Sequence, residues 1–320
     1  AMTDGAQSWQ PFIDAASASN TPVFGSDSLH GTLPNASRGV TRFPDPFEPI
    51  RRAAAADIVI HWGLPQIGEL LERVGFRGLS VSWSHGSIDY TRRITYAAAK
   101  GSTHFAAVSG PAAAAQPNDV TTRVLWNGID LERLSTTTSR EATRAAWGAN
   151  PDDVLIGYVG RLSGEKNPLA NAYAAAALQD RWPDRRVRPV WVGDGWEGDK
   201  YRALGRELAG DTGIWQPPTN RIGDTLAALD VFILASPGEG FSLSLTDAWA
   251  AGCPTVSTPV GAVPELQAKF GALTSLVPID PTPEQLGEAC AAALDRSNAK
   301  TVNRAKSVAR KHFTAEAMAE

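Results

Sequence analysis

The chain has 320 residues, 43% hydrophobic and 20% charged, which suits a folded globular protein of two domains, each with its own core. A formal net charge of −4 argues against non-specific nucleic-acid binding, and there is no run of about 18 apolar residues to cross a membrane. Cys253 and Cys290 fall at an apparent strand start and in a helix; they suggest no disulfide framework, and a reducing compartment such as the cytoplasm is expected.

The opening AMTDGAQSWQ has neither the basic start nor the apolar core of a signal peptide. Gly5 to Ala16 reads as loop passing into helix, and residues 21–49, rich in Pro, Gly, Ser and Asn, read mostly as loop. Regularity begins with a helical run over Ile50–Ala56 and a strand over Asp57–Trp62. An amphipathic helix follows over Leu64–Val74, then a strand over Leu79–Trp83 that ends at Ser84-His85-Gly86. A helix over Tyr90–Lys100, a strand over Thr103–Ser109 and an apolar run at Arg123–Trp126 complete this half. The alternation implies a small parallel sheet with helices on both faces. His85 stands at a strand's carboxyl end, and His61 is a weaker second candidate of the same kind. A lone histidine in such a place is more often structural.

Ser135–Asp152 reads as a hinge with one short helix. The second domain then opens with a buried strand, Val154–Val159, followed by Gly160-Arg161-Leu162-Ser163-Gly164-Glu165-Lys166-Asn167-Pro168. Pro168 suits the first turn of an Ala-rich helix running to about Leu178. Arg161 and Lys166 therefore lie on a loop at a strand's carboxyl end, where two cations beside a helix start would bind a diphosphate. The plain alternative is a solvated basic loop. The strand Pro189–Val192 leads into Gly193-Asp194-Gly195-Trp196-Glu197-Gly198, formally a dinucleotide fingerprint. It sits mid-chain, precedes a charged helix over Asp199–Leu208 and lacks a ribose-binding acid at the right distance, so NAD is disfavoured. A short strand, Ile214–Gln216, and a helix, Ile222–Leu229, follow.

The most informative stretch runs from Asp230 to Glu265. A buried strand, Val231–Leu234, leads through Ser236-Pro237-Gly238-Glu239-Gly240 into a helix from Leu243 to Ala251, which Gly252 stops; the next strand is Pro254–Thr258. Ser242, Leu243 and Ser244 lie where the first helical turn leaves N–H groups open to an anion. Glu239 is at the ligand-binding edge of the sheet, and Asp247 lies about two turns into the helix on roughly the same side. Carboxylates on either side of an anion site suit a ligand with a diphosphate centre and hydroxyls at both ends, as in a nucleotide sugar. Thr282-Pro283-Glu284-Gln285 is a capping box starting a helix through Leu294, and a last helix is expected over Lys300–His312.

Glu239-Gly240-Phe241 followed by Asp247 resembles the diagnostic segment of the retaining, GT-B-fold glycosyltransferases of family 4, whose second acid is usually Glu. Gly160-Arg161…Lys166 resembles that family's phosphate clamp, Val192-Gly193-Asp194-Gly195 its Val-Gly-Asp-Gly turn, and the Val260–Leu266 stretch its later glycine–glutamate turn. In the first half, His85-Gly86 and Asn127-Gly128-Ile129-Asp130 are similar to its acceptor-side features, and Gly5-Ala6-Gln7-Ser8 could be a remnant of its glycine-rich loop. The resemblance covers roughly residues 57–320.

It implies an α/β fold of two Rossmann-like domains facing a cleft: 1–134 for the acceptor, 135–305 for the donor, and a C-terminal helix, 306–320, returning toward the first. It implies a sugar transfer from a nucleoside-diphosphate donor to a hydroxyl on a glycan, lipid or small molecule, with no cofactor and no nucleic acid. The catalytic set would be His85, Arg161, Lys166 and Glu239. The donor would meet Gly160, Arg161, Lys166, Trp215, Gln216, Glu239, Gly240, Phe241, Ser242, Leu243, Ser244 and Asp247, with Trp215 and Gln216 flanking the base. No metal is expected, since cations and a helix dipole stand at the phosphates and no Asp-x-Asp motif follows a strand. Peripheral membrane contact is a family habit, but Arg51-Arg52 and Arg92-Arg93 are too sparse to claim it. The rivals are an epimerase or phosphorylase of the same fold, and a non-catalytic nucleotide-sugar binder.

Overall fold

The structure, a computed structural model, describes residues 55–61, 67–86, 102–116 and 120–319, together with the backbone of β1 (Val23–Ser26) and β2 (Val40–Phe43). The expected Gly5–Ala16 segment, most of the Ile50–Ala56 helix, Trp62, Leu64, the Tyr90–Lys100 helix and the arginine pairs at 51–52 and 92–93 lie outside the described residues. Residues 21–49 are not all loop: β1 and β2 pair in parallel, Val23 opposite Val40 through Ser26 opposite Phe43. Strands this short display too little of a two-residue period to stand out among prolines and glycines.

Two compact units emerge, one of residues 1–107 with 112–124 and one of residues 108–111 with 125–320. The passage to the second unit falls at 124/125 rather than at the expected 134/135, and residues 306–320 belong to the second unit.

The first unit holds β3 (Ile58–His61), α1 (Ile67–Arg73), β4 (Leu79–Ser84), β5 (His104–Ala107) and β6 (Thr122–Val124), with α2 (Gly110–Ala114), whose first two residues group with the second unit, between β5 and β6. The strands form a parallel sheet in the order β3-β4-β5-β6. Leu71 of α1 packs on Val59, Leu70 and Phe76. The inward face of β4 is made of Ser80, Ser82 and Ser84, all buried, so this sheet carries a small polar core.

The second unit holds α3 (Arg140–Ala146), β7 (Val154–Val159), α4 (Ala170–Arg181), β8 (Val187–Val192), α5 (Gly198–Ala209), β9 (Ile214–Gln216), α6 (Ile222–Ala228) and β10 (Val231–Leu234). Then come α7 (Leu243–Ala251), β11 (Thr255–Ser257), α8 (Val263–Phe270), β12 (Ser275–Leu276), α9 (Pro283–Leu294), α10 (Ala299–His312) and α11 (Ala315–Ala319). Six parallel strands run in the order β12-β11-β10-β7-β8-β9, so the order reverses between β7 and β10. On one face Ile156, Val231, Ile233 and Val256 meet Leu178, Leu286 and Cys290 of α4 and α9. Each such leucine contributes about 1.5–3 kcal/mol through burial. Both ends of α7 are defined by the sequence: Ser242 caps its start and Gly252, at φ 81°, turns the chain out of it.

Three local expectations change. The Ser135–Asp152 segment is not a hinge but part of the second unit's framework. Asp224 accepts from the N–H groups of Thr137 and Thr138, Arg140 reaches Asp230 at 2.5 Å, and buried Arg144 bonds Asp230 at 3.1 Å and the Ala228 carbonyl at 3.0 Å. Its polarity, which suggested a linker, goes into these contacts. The helix after β7 starts at Ala170 rather than at Pro168, because Asn167 takes a left-handed conformation (φ 45°) after a single 3-10 turn, Gly164–Lys166. β8 begins at Val187, including Arg188; this buried cation is offset by Asp153 at 3.3 Å and by the carbonyls of Gly148 and Thr212.

Candidate functional site

The reversal of strand order between β7 and β10 makes the region beyond their carboxyl ends the usual ligand site of an open parallel sheet. The β7 loop brings Arg161 and Lys166 there, and the β10 loop brings Glu239. The Lys166 ammonium lies 2.8 Å from both Glu239 oxygens, while Ser236 donates to Oε1 at 2.9 Å. Residues 73 positions apart in sequence thus form one ion pair, with side-chain exposures of 23% for Lys166 and 9% for Glu239. Arg161 is held differently. Its guanidinium stands 4.6 Å from the centroid of the Trp196 ring and 3.6 Å from Glu165.

Beside them α7 begins. The Ser242 hydroxyl accepts from the Leu245 N–H at 3.4 Å and the Ser242 carbonyl takes the Thr246 N–H. The first-turn N–H groups of Leu243 and Ser244 remain to be satisfied from outside the helix, at its positive end. Asp247, one turn deeper, is buried, and burial pushes its carboxyl up to about 6; Arg133 pulls it down and Asp130 pushes it up to smaller extents. A carboxyl withheld from water in this way is stabilised by hydroxyl donors.

Other expected residues fall into packing positions. Trp215 is stacked face to face on buried Trp191, with centroids 4.0 Å apart and planes 3° from parallel. The Phe241 ring is buried against Phe313 at 5.7 Å, so its backbone is what it can offer a ligand. Gln216 accepts the Gly193 N–H through its carbonyl, and Gly160 donates to the Val192 carbonyl. In the first unit, His85 follows β4, its ring 5.6 Å from that of Trp83; the residue keeps an exposed edge, yet desolvation of the ring lowers its pKa to about 4. His61 is buried, bonded to Ser102 at 3.0 Å and Ser80 at 3.3 Å, and burial lowers its pKa to about 4, which keeps the ring neutral.

Sequence reasoning gave no role to Ser236, Tyr158 and Trp196, and placed Glu265 in the glycine–glutamate turn without its contacts. Tyr158, on β7, donates its hydroxyl to the Arg161 carbonyl at 2.5 Å. Glu265 takes the Gly110 N–H and the Trp126 indole N–H, both at 2.8 Å. An inward Tyr three residues before the arginine was the available signal for the first; the others depend on tertiary contacts. A cavity of about 420 Å³ lies at the opposite sheet edge, against Arg140, Leu229, Asp230, Cys253, Leu294 and Arg296, and includes none of the expected site residues. Among the described residues no helix is long and apolar enough to cross a membrane.

Residues 153–296 match the profile of the family described as glycosyl transferases group 1. The D-inositol 3-phosphate glycosyltransferase of Corynebacterium urealyticum is 33% identical over 149 residues, covering 43% of this chain and 35% of that protein. Its counterpart in Corynebacterium glutamicum is 32% identical over 183 residues, covering 54% and 43%. The chain thus matches less than half the length of these curated relatives. Among solved structures, HepE of Anabaena in complex with UDP and glucose superposes with a TM-score of 0.78 at 17% identity, covering 96% of this chain and 92% of that one. WaaG, a glycosyltransferase involved in lipopolysaccharide biosynthesis, gives 0.74 at 18% identity over 98% and 94%. At such identities the likeness is one of fold. Residues 153–296 are thus similar to the glycosyl transferases of group 1, and the two parallel α/β units share the fold of HepE and WaaG.

Proposed function

We propose that this protein transfers a sugar from a nucleoside-diphosphate donor to a hydroxyl acceptor, with retention at the anomeric carbon and without a metal. The observation that carries the reading is the meeting of Lys166, Arg161 and Glu239 at the switch point of the sheet, beside the open start of α7. HepE, of the same fold, is bound to UDP-glucose in one of its structures, which supports a nucleotide-sugar donor here.

Charge accounting gives the mechanism. As the anomeric C–O bond to the diphosphate lengthens, negative charge grows on the leaving phosphate and positive character on the sugar ring. Arg161, Lys166 and the N–H groups of Leu243 and Ser244 offset the former. A bound diphosphate replaces Glu239 as the partner of Lys166, leaving the Glu239 carboxylate to accept from sugar hydroxyls. Asp247 accepts from the ribose. The acceptor oxygen forms its new bond on the face the phosphate leaves, and its proton passes to that phosphate oxygen. The cations and helix dipole of the chain itself support a transfer without a metal. His85 is proposed to orient the transferring sugar or the acceptor.

Incubation with a panel of nucleotide sugars and hydroxyl acceptors, with NMR of the products, tests this. A glycoside keeping the donor's anomeric configuration, formed at a rate that collapses in Lys166→Ala, is expected. An inverted product refutes retention. An epimerised or phosphorolysed donor, or donor binding without turnover, favours the rival readings.

A further inference from the structure

The Gly193–Gly198 turn has the form of a dinucleotide fingerprint, yet its contacts serve the neighbouring cationic loop. A Cβ on Gly193, at φ 140°, would lie 2.0 Å from the Gly160 carbonyl oxygen, and one on Gly195 would lie 2.5 Å from that of Leu162. The glycines are therefore where the turn presses backbone to backbone against residues 160–162. Leu162 donates to the Asp194 carbonyl at 3.0 Å, and Gly164 donates to the Glu197 carboxylate at 2.6 Å. These two bonds tie down the chain just after Arg161, as the Gly160 N–H bond to the Val192 carbonyl does just before it and Tyr158 does at the Arg161 carbonyl.

Between them projects Trp196. It is 46% exposed, so core burial does not account for a tryptophan there. Its ring face lies under the Arg161 guanidinium, which among the described residues has only a 3.6 Å ion pair to exposed Glu165 as further support. An indole face attracts a guanidinium through its quadrupole while leaving the N–H edges free to donate. Glu165, by contrast, competes for those edges.

We propose that Trp196 is a positioning residue for the donor's diphosphate: it holds Arg161 by its face and so keeps the guanidinium edge directed at the phosphates. The inference rests on the donor-site reading above. The ring acts through Arg161 and not on the nucleobase, so its effect is the same for any ligand with a diphosphate.

Binding of UDP, GDP, ADP, TDP and inorganic pyrophosphate to the full chain, by calorimetry, tests it with Trp196→Ala, Trp196→Phe, Arg161→Ala and the Trp196→Ala/Arg161→Ala double variant. Trp196→Ala is expected to weaken the best nucleoside diphosphate and pyrophosphate alike, by roughly 3- to 10-fold, with Trp196→Phe near wild type. In the Arg161→Ala background the same change is expected to cost nothing further. Equal losses in both backgrounds overturn the proposal, as does a loss seen with nucleotides but not with pyrophosphate, which marks base stacking. Binding that needs Arg161 but ignores Trp196 refutes this inference alone. A wild-type protein that binds none of the five refutes the donor site itself.

Discussion

Lys166→Ala probes the site from two directions. In the ligand-free protein the substitution takes the ammonium away from Glu239, 9% exposed, which keeps the Ser236 hydroxyl among its partners. Deleting one partner of a buried pair costs about 3–5 kcal/mol; the 23% exposure of Lys166 and the retained serine bring the expected loss to about 2 kcal/mol. In the complex the same substitution removes one charge-assisted contact to the diphosphate, about 1.5–3 kcal/mol, or roughly 10- to 150-fold in affinity. Urea unfolding reads the first quantity and calorimetric titration with a nucleoside diphosphate the second. Glu239→Gln separates the roles. It removes the anion that competes for Lys166, so the sugar-free diphosphate should bind at least as tightly, while the nucleotide sugar binds more weakly. Lost stability with unchanged diphosphate affinity in Lys166→Ala would make the pair structural and refute the clamp.

Three further outcomes are expected. The raised pKa of Asp247, about 6 against 3.8, means the folded state holds a proton the unfolded state has lost; its stabilising effect is full below pH 3.8 and is lost as pH rises through 6. Donor affinity runs the other way, since the ribose needs the carboxylate: it should fall below pH 6, and Asp247→Asn should remove that slope in titrations across pH 5–8. His61, lowered to about 4 from 6.5, should cost stability as pH falls from 6.5 toward 4, by up to about 3 kcal/mol, and His61→Gln should flatten this part of the urea-stability profile. Gly193→Ala drives a Cβ to 2.0 Å from a backbone oxygen and should destabilise by more than about 2 kcal/mol in the same assay, with weakened diphosphate binding; a wild-type midpoint would refute the packing argument for the turn.

The second unit was legible because its signals are local. The Val231–Leu234 strand, the Leu243–Ala251 helix and the Thr282 capping box, in which Thr282 and Gln285 exchange bonds at 3.0 and 3.3 Å, stand where the residues predict. Features that depend on distant partners were hidden. Arg188 looks wrong for a central strand until Asp153 is beside it, and the polar Ser135–Asp152 stretch resembles a linker until Asp224 and Asp230 are in place. The candidate site divides in the same way. The positions of Arg161, Lys166, Glu239 and the α7 start follow from strand ends and helix caps, whereas the Lys166–Glu239 pair and the Trp191–Trp215 stack are facts of packing. The dinucleotide-like turn misled because glycine spacing reports a close approach of backbones, not what approaches.

The central claim is that the second unit binds a nucleoside diphosphate through the β7 cations. It is tested most directly by a thermal-shift panel of UDP, GDP, ADP, TDP and NAD on the wild-type chain and Lys166→Ala. A ligand at about a hundred times its dissociation constant adds roughly 2.7 kcal/mol to stability. The account predicts such a shift with one nucleoside diphosphate, lost in the variant. A shift with NAD alone, or one that survives in Lys166→Ala undiminished, would contradict it.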